Sequence, residues 1–186
     1  MVLLRTMAGT RPDHRIFELM AEIEMARAHT AKAVDWAARG LAIDPSPGLL
    51  RYHAEGLEKM GTNAPAALAS SRAFLKQDPG SVPMTLLSGR MLENLGLTNE
   101  FRAFQRQQIK RNPVFIPSLT ALRDQATRDG QIDDATEYAR IRTVVQPDNA
   151  EALRAYASSL AQQDHFRKSL KILRPLARTP LEKAVP

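Results

Sequence analysis

The chain contains no cysteine. Disulfides, thiolate metal ligands and thiol nucleophiles are excluded together, while either redox compartment stays open. Aromatic residues are only 5% of the 186. Alanine and leucine must therefore build most of the core, and alanine is the best helix former. No apolar run approaches the roughly 20 residues a membrane helix needs. No stretch alternates apolar and polar at period two, so no sheet is expected. Signature catalytic motifs are missing too: no P-loop, no G-x-S-x-G, no H-E-x-x-H and no G-x-G-x-x-G. The histidines His14, His29, His53 and His165 have no i, i+4 partner that would make a metal site. No enzyme activity, no metal and no cofactor are expected.

What the chain has in excess is positive charge. Its formal net charge is +6 and its pI about 10.0. Arginine (19) outnumbers lysine (7). This balance favours acidic partners or anionic surfaces, or it is simply a solvated arginine-rich exterior. The alanine and arginine usage hints at a GC-rich bacterial genome. The start Met1-Val2-Leu3-Leu4-Arg5 is too short for a secretory apolar segment. The expected location is cytoplasmic if the chain is complete, and periplasmic or membrane-associated if it is a fragment.

Proline keeps a beat. Pro45, Pro79, Pro113 and Pro147 stand 34 residues apart, and Pro12 and Pro180 lie one residue off the same phase. Such a period signals a repeat architecture. Between the prolines a helical stripe doubles back. In residues 150–183, Leu153, Tyr156, Ala157 and Leu160 share one face, Asp164-His165 interrupts, and Phe166, Leu170, Leu173 and Leu176 form a second stripe. Asp148 and Glu151 have the spacing of a capping box. In residues 116–149, Leu119, Leu122 and Ala126 are followed by Asp129-Gly130, then by Ile132, Ala135 and Ala139. Residues 14–47, 48–81 and 82–115 repeat the scheme, and residues 1–13 read as the tail of an upstream unit. Small residues recur where two helices must approach: Ala21, Ala54, Gly89 and Ala157 in the first helix of a pair, Ala33, Ala67, Ala135 and Ser169 in the second.

This pattern resembles the tetratricopeptide repeat (TPR), and the resemblance covers nearly the whole chain. It implies an all-α, right-handed superhelical solenoid of about five helix-turn-helix repeats in a single array. Departures are visible. The second repeat fits only with a one-residue shift, which predicts an extra residue near Ala64-Pro65. Arg123 and Phe101 replace small residues, the first repeat lacks a turn glycine, and Pro175 should kink or end the last helix near Arg174.

The resemblance also implies a function: capture of a partner protein or peptide segment on a groove lined by the first helices. The residues carried over are Arg51, Glu55, Arg90, Asn94, Asp124, Arg128, Arg154 and Ser158, with Arg15, Glu18, Glu22, Glu58, Lys59, Glu93, Thr120 and Gln162 beside them. One TPR subtype grips C-terminal carboxylates with a Lys-x-x-x-Asn pair. The matching pairs here are Glu18/Glu22, Arg51/Glu55, Leu86/Arg90, Thr120/Asp124 and Arg154/Ser158, and none fits. The alternative is an accessory TPR domain of a larger enzyme or of an envelope or secretion assembly. Self-association through the array ends stays open. Nucleic acid is not expected, because Glu18, Glu22, Glu55, Glu58, Glu93 and Asp124 repel phosphate. Two basic stripes, Arg102/Arg106/Lys110 and Arg167/Lys171/Arg174/Arg178, read as solvated outer faces or as sites for an acidic partner. Membrane contact is expected only through the second stripe. Trp36 is expected to pack against a neighbouring helix.

Overall fold

A computed structural model describes Thr6 and residues 13–177. The expected upstream tail, apart from Thr6 and Asp13, lies outside the described residues, as do Arg178 and Pro180. Among the described residues there are ten helices and no strand: α1 (His14–Ala26), α2 (Thr30–Leu41), α3 (Pro47–Met60), α4 (Ala64–Gln77), α5 (Val82–Asn94), α6 (Thr98–Arg111), α7 (Ile116–Arg128), α8 (Ile132–Val145), α9 (Ala150–Gln162) and α10 (Phe166–Ala177). The second helices of the five pairs, α2, α4, α6, α8 and α10, begin 34 residues apart.

The turns explain this regularity. Each first helix ends with a backbone N–H reaching back five residues: His29 to Glu24, Thr62 to Leu57, Leu97 to Leu92, Gln131 to Ala126 and His165 to Leu160. That closure needs a residue in the left-handed region. Gly61, Gly96 and Gly130 supply it with φ of 63°, 66° and 70°. Ala28 and Asp164 do so with φ of 60° each, against the preference of a side chain. The extra residue of the second repeat is Asn63. It follows the closure at Thr62, takes φ 47° itself, and caps α4 by accepting the Ala66 N–H at 3.2 Å.

Two expectations about helix ends need correction. The N-cap of α9 is Asn149, not Asp148: Asn149 Oδ1 accepts the Ala152 N–H at 2.9 Å. Glu151 is thereby freed from a capping box and pairs with Arg142. Pro175 does not end α10, which continues to Ala177. It stands in the last turn, where its missing N–H forfeits the ladder bond to the Lys171 carbonyl.

The chain divides into two compact units, with the break inside α6 between Phe101 and Arg102. In the first unit α1, α2 and α3 enclose Phe17, Met20, Ala21, Ala37, Leu49 and Tyr52, and Trp36 leans on that cluster. The Trp36 and Phe17 rings lie 6.0 Å apart, and the Arg39 guanidinium sits 4.4 Å from the Trp36 centroid. This is the packing role expected of Trp36. The small positions are all covered: Ala21, Ala33, Ala54 and Ala67 are fully buried. Phe101, in place of a small residue, is buried as well. Where α4 meets α5 the contact is polar but satisfied. Ser88 Oγ donates to Ser71 Oγ at 2.8 Å, and Ser71 Oγ to the Leu68 carbonyl at 3.0 Å.

In the second unit α7, α8, α9 and α10 pack in succession around Leu119, Leu122, Ala126, Ala135, Ala139, Ala157 and Leu160. Arginine enters this core. Arg142 is buried at the place that Phe74 holds two repeats earlier, and its Nη1 donates to Glu151 at 2.9 Å.

Candidate protein-interaction site

The first unit gathers part of the expected site into one hollow. Consecutive first helices α3 and α5 stand side by side there. From α3 come Glu55, Glu58 and Lys59. From α5 come Val82, Pro83, Met84, Leu86, Leu87 and Arg90. The hollow encloses about 370 Å³. Its floor is apolar and its rim charged, because the lining residues follow helical spacing on both sides. Val82 and Leu86, at i and i+4, remain 47% and 37% exposed side by side on one face of α5. Arg90 Nε donates to Glu58 Oε1 at 2.6 Å across the gap. Both partners touch solvent, so the pair is worth only about 0–1 kcal/mol and can open to a ligand.

Thus Glu55 and Arg90 come together. Arg51 and Asn94 do not line this hollow. Arg51 turns to its neighbour: its Nη2 donates to the Tyr52 hydroxyl at 2.7 Å, with the guanidinium 4.6 Å from the ring centroid. Asn94 is exposed near the end of α5. The apolar floor went unread in the sequence, where Val82 and Leu86 pass for core. The signal was available in the Leu86/Arg90 pair, since Leu86 stands at a groove position.

In the second unit Asp124 is half-buried and accepts from Arg123 Nε at 2.9 Å. Arg128 is exposed and donates to Gln125 Oε1 at 2.8 Å. Arg154 and Ser158, both on α9, are exposed. The buried Arg142 beside Glu151, with Arg123 near, holds the Glu151 carboxyl below the usual range, chiefly through the Arg142 hydrogen bond. Arg102, read as part of an outer stripe, pairs instead with Asp129 in the α7–α8 turn.

Other ionisable groups serve the fold. Glu24 is almost fully covered, and the His29 ring donates to it at 2.7 Å. That hydrogen bond keeps its carboxyl below the usual range. His53 lies 2.8 Å from Ser70 Oγ, and burial pushes its imidazole down. Among the described residues no three metal-ligating side chains converge, and no helix is long and apolar enough to cross a membrane.

The chain matches no family model and no curated protein sequence. Solved structures do resemble it. MamA has a TM-score of 0.70 at 16% identity, over 93% of this chain and 98% of that one. YrrB, described as a TPR protein with an unusual peptide-binding site, has a TM-score of 0.67 at 13% identity, over 91% of this chain and 88% of that one. MamA from Desulfovibrio magneticus RS-1, residue 41 to its end, has a TM-score of 0.68 at 12% identity, over 92% and 96%. The fold is that of the tetratricopeptide repeat, as the proline beat and paired helices imply.

Proposed function

We propose that this protein is a non-catalytic interaction scaffold that seats an extended segment of a partner protein against its first helices. The observation that carries the reading is the hollow between α3 and α5. An apolar floor of Val82, Met84 and Leu86 lies beside Glu55, Glu58, Lys59 and Arg90. Such a site accepts one apolar side chain and matches charges on either side of it. A partner acid would draw Arg90 away from Glu58, and a partner base would pair with Glu55. Arg154, Arg128 and Ser158 offer hydrogen bonds on the second unit in the same way. The peptide-binding description of YrrB supports the class of ligand.

The test is affinity capture from the source cell, wild type beside Leu86→Glu and an Arg90→Glu/Arg154→Glu double variant. Folding of each is checked by circular dichroism. One specific protein retained by the wild type and lost with both variants supports the reading. Equal retention by all three folded proteins rejects it. Covering Leu86 contributes on the order of 1–2 kcal/mol, so its charged replacement should weaken capture at least about tenfold.

A further inference from the structure

We propose that α10 is a docking face for a bilayer surface rich in anionic lipid. Between Phe166 and Ala177 there are four cationic residues and no acidic one. Arg167, Lys168, Lys171 and Arg174 are all exposed. This one helix therefore holds most of the chain's net charge of +6. Beside the charges, Phe166 and Leu170 are 56% and 55% exposed, more open than most large apolar side chains of the described chain. Phe166, Leu170 and Leu173 follow i, i+4 and i+7. Arg167, Lys171 and Arg174 follow the same spacing one residue later, so the two stripes run side by side about 100° apart. The side of the helix next to the apolar stripe is taken up by α9, where Ser169, about 60° from Phe166, is buried.

An anionic bilayer answers both stripes at once. Its phosphates meet the arginine and lysine heads, and the acyl boundary just beneath receives Phe166 and Leu170. An open stripe of this kind asks for no shape complementarity, which a protein partner would require. The rival occupant is a second copy. Val34 in α2 stands at the repeat position of Leu170 and is met by α3 at Gly56, so a helix from another molecule could take the same seat on α10.

The experiment is co-sedimentation of the full chain with phosphatidylcholine vesicles, with and without phosphatidylglycerol. Two variants accompany it, Lys171→Glu/Arg174→Glu and Phe166→Ser/Leu170→Ser, with circular dichroism confirming that each is folded. The protein should sediment only with the anionic vesicles. It should be released near 1 M salt, where the Debye length is about 3 Å. The charge variant should bind at least about tenfold more weakly. The apolar variant should let go at lower salt than the wild type. Absence of sedimentation, indifference to phosphatidylglycerol, or an unaffected charge variant would each overturn the proposal. So would a dimer in light scattering that Phe166→Ser/Leu170→Ser dissociates while no vesicles bind, because the face would then belong to a second copy.

Discussion

Replacing Gly40 by alanine sets two effects of opposite sign against each other. In an open helix the change is favourable, since alanine gains about 0.5–1 kcal/mol over glycine. Gly40 is the penultimate residue of α2, where that gain is at its smallest. Against it stands the space. A Cβ on Gly40 would lie 2.7 Å from both methyl groups of Leu49 and 2.9 Å from Phe17 Cβ. The leucine methyls could turn aside, but Phe17 Cβ is tied to the backbone of α1. Relief must then come from separating α2 from α1 and α3 in a core that includes Phe17 and Leu49. Overpacking of this kind costs about 1–3 kcal/mol. The clash wins, and Gly40→Ala should destabilise the first unit by about 1–2 kcal/mol. The single tryptophan makes this readable. Trp36 stands on α2 in contact distance of Phe17, so urea denaturation followed by its fluorescence reports on this packing. A lower midpoint at unchanged slope is the expected result. An equal or higher midpoint would refute the claim that the small residue is demanded by close helix approach.

Further expectations concern turns, acid and the buried arginine. Ala28→Gly should stabilise by about 0.5–1 kcal/mol, because it removes the left-handed penalty at φ 60° and loses only part of that to chain entropy; thermal melts would show it. Burial lowers the His53 pKa from 6.5, so the folded state resists protonation. Its contribution is full above about pH 6.5 and is lost as the pH falls through the lowered folded value. Urea midpoints from pH 7 to 5 should fall less steeply in His53→Gln. Arg142→Met should be neutral or stabilising by up to about 2 kcal/mol, since an apolar side chain suits the place that Phe74 holds and Glu151, already 70% exposed, keeps its water. Arg142→Ala should instead destabilise by about 2–4 kcal/mol through the cavity it leaves. Calorimetry of the two variants separates these signs.

The repeat was legible because its determinants are local. A proline between pairs, a glycine in three of the five turns and a small residue at most close approaches have fixed spacing, whereas Ala28 and Asp164 turn left-handed without such a mark. Even the shift in the second repeat could be traced, since α3 begins 33 residues after α1 and the added turn residue, Asn63, restores the 34-residue spacing at α4. The misreadings have a common cause. Asp148 and Asn149 are both competent caps, and only the reach of Asn149 Oδ1 to the Ala152 N–H decides between them. Pro175 reads as a stop, yet α10 runs on to Ala177. Val82 could not be told from a core residue, because exposure depends on the gap between α3 and α5 and not on residue type, whereas Leu86 stood at a groove position. Arg142 likewise passes for a surface residue until Glu151 is found beside it.

The most direct measurement is site-specific photocrosslinking in the source cell, with a crosslinker at Leu86 and a control crosslinker at Arg140 on the exposed side of α8. A partner protein joined through Leu86 and absent at Arg140 is the predicted result, and the crosslinked peptide would identify the seated segment. Equal labelling at both positions, or none at Leu86, would contradict capture in the hollow between α3 and α5.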